Sequence, residues 1–135
     1  RYLTRVKMKR IPYRHLNLKF LGIVPREEIR KFYASCDLFL LPSYAELFPM
    51  SILEAASCGA PIMLRDLDLY KNILEGKYLA GKDFAEMDKV IKDISKNPEK
   101  LKEFKAKSKE ISEYYSEDRL LKIWIDFYKE QAKLK

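Results

Sequence analysis

Two carboxylates, Glu46 and Glu54, stand eight residues apart in the stretch Pro42-Ser43-Tyr44-Ala45-Glu46-Leu47-Phe48-Pro49-Met50-Ser51-Ile52-Leu53-Glu54. The stretch reads as a strand end, a tight loop and the start of a short helix. One acid falls in the loop and the other inside an otherwise apolar helix. Pro49 suits the first helical position, where its missing N–H has no intrahelical partner to lose. The N–H groups of Met50 and Ser51 then point out of the helix end, and with the helix dipole they can receive a phosphate. A carboxylate accepts hydrogen bonds from adjacent hydroxyls. Acid, anion site and acid in a row therefore suit a diphosphate that carries a polyol at each end.

Those residues need elements to hold them. The run Leu38–Leu41, stopped by Pro42, is continuous and apolar, as in a strand buried on both faces. A helix over Met50–Cys58 ends at Gly59, a natural left-handed cap. Pro61–Leu64 forms the next strand. Upstream, Leu16, Leu18, Phe20 and Leu21 suggest a short strand ending at Gly22, and Arg1 to Arg10 suggests the tail of a helix. Ile29, Phe32, Tyr33 and Cys36 recur at helical spacing, with Glu27 and Glu28 in the first turn. Strands that alternate with helices predict an α/β fold, a Rossmann-like parallel sheet flanked by helices. In such sheets ligands bind beyond the carboxyl ends of the strands, where this loop falls.

The later part reads as helical. Helices are predicted over Leu67–Leu74 with Gly76 behind it, over Phe84–Ile94, over Pro98–Tyr114, and from about Ser116 onward. In the last, Leu120, Ile123, Trp124, Phe127 and Tyr128 make an apolar face. Such a stripe ordinarily packs into a core, and it can also dock on a neighbouring domain. Glu54, among Ile52, Leu53, Ala55 and Ala56, is expected to be costly there unless it accepts hydrogen bonds.

Composition narrows the function classes. The chain has 135 residues with 47% hydrophobic content, enough for one domain with a core. Residues 1–135 read as a single partial domain. No apolar run approaches the roughly 20 residues that span a bilayer, and no signal peptide is visible. Cys36 and Cys58 are expected as reduced thiols in apolar surroundings. A single histidine, His15, leaves little for a zinc site or a Ser-His-Asp arrangement. Eight basic residues and no acid precede Glu27, while the rest carries 19 basic and 20 acidic residues, so the net +7 sits at one end. A basic stripe with Tyr2 and Tyr13 could meet nucleic acid, an anionic membrane surface or a phosphorylated substrate, or be a solvated face. No nucleic-acid motif accompanies it, so nucleic acid is not an expected partner.

Two glutamates eight apart mean little alone in a chain with 35% charged residues. Their surroundings add the weight. Pro42, Ser43, Glu46, Phe48, Pro49, Glu54, Ala55, Gly59 and Pro61, with Asp37 before the strand and Lys19-Phe20-Leu21-Gly22-Ile23-Val24 upstream, resemble retaining glycosyltransferases of the GT-B fold, family 4. The resemblance is close over Asn17–Tyr70 and loose over the C-terminal helices. It implies that the chain is the donor-binding, C-terminal half of such an enzyme, lacking its opening strand-helix-strand and the N-terminal acceptor domain. It also implies that Glu46, with the backbone N–H groups of Leu47 and Phe48, binds the donor sugar and is the catalytic residue. Met50 and Ser51 would hold the distal phosphate, Glu54 the ribose, and Ile23 and Val24 the base. The donor is expected to be UDP- or GDP-linked, with UDP favoured. No cofactor or metal is implied, and the anomeric configuration is retained.

The residues around Leu47–Leu53 and Arg65–Tyr70 further resemble bacterial glycosyltransferases that place glucose or galactose on diacylglycerol lipids. That resemblance implies a cytoplasmic protein, peripheral on the inner face of the cell membrane. The competing reading is a non-catalytic module that binds a nucleotide sugar or a partner.

Overall fold

The computed structural model describes Lys19 and residues 21–133. The expected N-terminal helix tail, most of the expected strand before Gly22, and His15 lie outside the described residues. Leu21 and Gly22, which are described, belong to no strand.

In chain order the elements are α1 (Arg26–Ser35), β1 (Phe39–Leu41), α2 (Met50–Ser57), β2 (Ile62–Arg65), α3 (Asp68–Leu74), β3 (Leu79–Gly81), α4 (Phe84–Lys96), α5 (Pro98–Tyr114) and α6 (Glu117–Lys133). The three strands are parallel and follow chain order, β1-β2-β3. Phe39 pairs with Ile62, and Met63 with Leu79. This is the α/β parallel architecture expected of the alternating pattern.

The central strand β2 is buried along its whole length. Its side chains alternate between faces, as the period of a strand requires. Ile62 and Leu64 join Ile52, Ala56, Tyr70, Leu74, Tyr78 and Ile111 in one cluster. Met63 joins Leu79, Met87, Ile94 and Phe104 in the other. Fully burying one such side chain is worth about 1.5 to 3 kcal/mol, whereas an exposed ion pair contributes about 0 to 1. Ion pairs such as Lys92–Asp88 and Lys102–Glu99 are exposed on both partners. The two apolar clusters, not these pairs, hold the sheet to its helices.

Local signals account for most boundaries. Gly59 and Gly76 adopt positive φ, +76° and +72°, and let the chain turn after α2 and α3. Glu75, just before Gly76, shares the left-handed region with φ of +48°. Asp83 caps α4 by accepting from the Glu86 N–H at 2.9 Å, and Asn97 caps α5 by accepting from Lys100 N–H at 3.3 Å.

Several expectations are corrected. β1 is not buried on both faces: Phe39 and Leu41 pack against one apolar cluster, while Leu40, on the opposite face, is exposed. β3 was not anticipated, since Leu79-Ala80-Gly81 is too short to show a period. The aromatic stripe of α6 does not enter the core: no residue of α6 is buried, and at the surface Trp124 stacks on Tyr128 while Phe127 meets both rings edge-on. Cys36 and Cys58 are free thiols, each half-buried.

Candidate functional site

Most of the predicted site residues follow directly from the carboxyl end of β1. β1 stops at Leu41, and residues 42–49 form the loop that leads into α2. The loop is anchored at its far end by Phe48, whose ring packs on Tyr115 at 5.5 Å between centroids. Tyr115 is tied down in turn, since its hydroxyl donates to the Ile73 carbonyl at 2.8 Å. The Phe48 side chain therefore has a packing role, and only its backbone is free to serve a ligand. Leu47 projects into solvent, 91% exposed.

Glu46 is half-buried within this loop. It lies near Tyr70 at the start of α3. Burial first, then the Glu46 charge, pushes the Tyr70 phenol up to about 12. Tyr70 is fully buried, and its hydroxyl has no hydrogen-bond partner among the described residues.

α2 begins at Met50, with Pro49 as its N-cap rather than its first helical residue. With this one-residue shift the helix end still presents free N–H groups. No side chain caps α2, and the N–H groups of Met50 and Ser51 precede the first that can bond within the helix. The Ile52 N–H is already taken by the Pro49 carbonyl at 3.1 Å. Met50 is exposed and Ser51 half-buried.

Glu54 departs from expectation. Its helix buries Ile52, Ala55 and Ala56. Position 54 falls about 200° round from position 52, on the outer face. The carboxylate is exposed, so no desolvation cost of the anticipated kind arises. It does not stand alone, however: the Tyr33 hydroxyl of α1 donates to Glu54 Oε2 at 3.2 Å. Burial, then the Glu54 charge, raises the Tyr33 phenol pKa. Tyr33 itself is held edge-on against Phe39 of β1, with centroids 5.7 Å apart.

Ile23 and Val24 sit in the segment before α1. Ile23 is 88% exposed and Val24 half-buried, and Gly22 ahead of them has φ of +70°. Glu46, the N-terminus of α2 and Glu54 thus follow one another from the carboxyl end of β1, and Ile23 and Val24 lie in the segment ahead of α1.

Tyr33 and Tyr70 were not among the predicted site residues. Tyr33 lies 21 positions from Glu54, so no local spacing links them. Its signal was its place on the inner face of α1 together with Ile29. A charged Arg65 following Ile62-Met63-Leu64 was a further signal, since a cation closing a buried strand needs partners. Among the described residues no cluster of His, Cys, Asp and Glu could hold a metal ion. No helix among them is long and apolar enough to cross a membrane.

Comparison with known proteins bears on this geometry. Over 118 residues the chain is 62% identical to an alpha-galactosylglucosyldiacylglycerol synthase of Streptococcus pneumoniae, covering 87% of this chain and 32% of that protein. Over 70 residues it is 34% identical to a Campylobacter jejuni N,N'-diacetylbacillosaminyl-diphospho-undecaprenol alpha-1,3-N-acetylgalactosaminyltransferase, covering 49% of this chain and 19% of the relative. An uncharacterized glycosyltransferase of Methanocaldococcus jannaschii is 27% identical over 120 residues, 82% of this chain and 30% of the relative. The chain therefore spans a third or less of the length of each of these relatives. Residues 10–111 match the family described as glycosyl transferases group 1. That match takes in the whole sheet, α2 and both glutamates, and the chain belongs to the glycosyl transferases group 1 family.

Proposed function

We propose that this chain is the donor-binding part of a retaining glycosyltransferase that moves a hexose from a UDP-sugar to a membrane glycolipid. The carrying observation is the bracketing of the α2 N-terminus by Glu46 in the preceding loop and Glu54 one turn into the helix.

In this reading Glu54 accepts from the ribose hydroxyls, with Tyr33 orienting its carboxylate. The Met50 and Ser51 N–H groups take the distal phosphate, where the helix dipole favours negative charge. Glu46 and the Leu47 and Phe48 N–H groups hold the sugar hydroxyls. Ile23 and Val24 lie against the base. During transfer the bond from the anomeric carbon to the phosphate oxygen breaks, and a bond to the acceptor oxygen forms on the same face. The acceptor proton passes to the departing phosphate. Glu46 stabilises the positive charge that develops on the sugar ring.

The acceptor would be supplied by an N-terminal domain of the longer protein, consistent with the greater length of the relatives. The glycolipid assignment draws on the name of the S. pneumoniae relative. A cytoplasmic protein bound peripherally to an anionic membrane fits the basic N-terminal stretch, at about 1 kcal/mol for each Lys or Arg at the surface.

The test is transfer of labelled hexose from UDP-glucose and UDP-galactose to glycolipid vesicles by the full-length protein. Glu46→Ala should lower the rate about 100-fold or more. Undiminished transfer by that variant, or transfer from neither donor by the wild type, contradicts the reading.

A further inference from the structure

Arg65 closes β2, and it is buried, only 5% exposed. It faces the same side of the sheet as Met63, two residues earlier on the strand. A guanidinium in such a place is expensive unless its donors are used. Its Nε donates to the Pro42 carbonyl at 3.2 Å, just beyond β1. Its Nη1 donates to the Lys82 carbonyl, just beyond β3. One side chain thus links the carboxyl ends of all three strands. The guanidinium carbon also lies 3.9 Å from the Tyr44 ring centroid and 5.5 Å from that of Phe84. Tyr44 is otherwise largely in solvent, 74% exposed.

These contacts converge on the loop that carries Glu46. Pro42 is its root and Tyr44 lies two residues before the acid. Residues 42–49 have no strand or helix of their own to hold them. Phe48 fixes the far end of the loop through Tyr115, and Arg65 fixes the near end. The third guanidinium nitrogen, Nη2, is enclosed and has no hydrogen-bond partner among the described residues. A side chain serving sheet stability alone gains nothing from an unused, buried charged donor, because leaving it unpaired is destabilising.

We propose that Arg65 is a positioning residue for donor transfer: its guanidinium fixes Pro42 and Tyr44 and so sets where Glu46 meets the sugar. This rests on the reading of Glu46 as the ligand of the donor sugar. The nucleotide half is held differently. α2 is anchored by the burial of Ile52, Ala55 and Ala56, and Glu54 is oriented by Tyr33. Neither depends on Arg65. Loss of Arg65 should therefore separate sugar handling from nucleotide binding. Lysine cannot stand in for it, since an ammonium lacks the planar fork that reaches two carbonyls while stacking on a ring.

The experiment uses the full-length protein with Arg65→Met and Arg65→Lys. Three quantities are measured: kcat for hexose transfer, Kd for UDP, and the rate of chymotrypsin cleavage after Tyr44 or Leu47 without ligand. Both variants should lose at least tenfold in kcat, keep the UDP Kd within twofold, and be cut in the loop at least fivefold faster. If Arg65→Met does not fold, Arg65→Lys must show the same split. Unchanged loop cleavage in a folded variant overturns the proposal whatever the donor is. So does a parallel fall in kcat and UDP affinity, which marks general loosening. A wild type that is cut more slowly than the variants yet binds no UDP overturns the donor-site reading instead, and leaves the anchoring of the loop by Arg65 standing.

Discussion

The Tyr33 hydroxyl donates to Glu54 Oε2 at 3.2 Å, joining α1 to the outer face of α2. This contact directs a carboxylate that would otherwise swing freely in solvent. A hydrogen bond to a charged group is worth about 1.5 to 3 kcal/mol, and an exposed one less. Tyr33→Phe should leave the fold standing, because the ring contact with Phe39 survives. In the full-length protein it should weaken UDP binding about fivefold, the equivalent of about 1 kcal/mol. Glu54→Gln should weaken it about tenfold or more, through loss of the charged acceptor. Calorimetric titration with UDP checks both, and equal affinity in Glu54→Gln speaks against the ribose role.

Ser108 is fully buried in α5, and its hydroxyl reaches the Ala60 carbonyl at 2.7 Å and the Phe104 carbonyl at 3.0 Å. Its one proton serves the nearer acceptor, which ties α5 to the chain just ahead of β2. Ser108→Ala strands that carbonyl and should cost about 1 to 3 kcal/mol. Urea denaturation measures it, and a stability within 0.5 kcal/mol of wild type, roughly the scatter of neutral surface changes, would contradict the bond's importance.

At Gly81 the last residue of β3 runs against α4. A Cβ there would lie 2.8 Å from both the Met87 backbone nitrogen and Met87 Cγ. The side-chain atom can move, but the backbone atom cannot without shifting the helix. Gly81→Ala should therefore destabilise by about 1 to 3 kcal/mol, the range for overpacking. A thermal melt unchanged from wild type would show that α4 can retreat at little cost.

Tyr70 presents the opposite case. Its buried hydroxyl has no partner among the described residues, so Tyr70→Phe removes a penalty and should raise stability by about 1 kcal/mol. The pH dependence has a definite sign. The folded-state pKa, near 12, exceeds the ordinary 10.0, so the neutral phenol is the form that the fold favours. That contribution is whole below pH 10 and is lost as pH rises toward 12. Denaturation at several alkaline pH values should show a shallower loss of stability in Tyr70→Phe than in wild type.

Much of this arrangement was legible in the sequence because its causes are local. Pro98 behind Asn97, Glu117 and Asp118 at the head of α6, and Gly59 after α2 each act within one turn of chain. The Glu46–Glu54 spacing and the proline between them likewise predicted a loop and a helix end. What escaped depends on distant partners. β3 exists because Leu79–Gly81 finds the register of Met63–Arg65, which no three-residue pattern can announce. The apolar neighbours of Glu54 suggest an embedded acid, although helical geometry turns it outward. Arg65 and Tyr70 acquire their meaning only when β2 and α3 are laid against the loop after β1. The stripe of α6 has the period of a core helix, and its exposure shows that periodicity reports an apolar face without saying what meets it.

Where an activated sugar rests is seen most directly in a crystal structure of the full-length protein soaked with a UDP-hexose. The ribose hydroxyls should lie on Glu54, the distal phosphate on the Met50 and Ser51 N–H groups, and the hexose hydroxyls on Glu46. Donor density elsewhere on the protein, with both carboxylates left in bulk water, would contradict this placement.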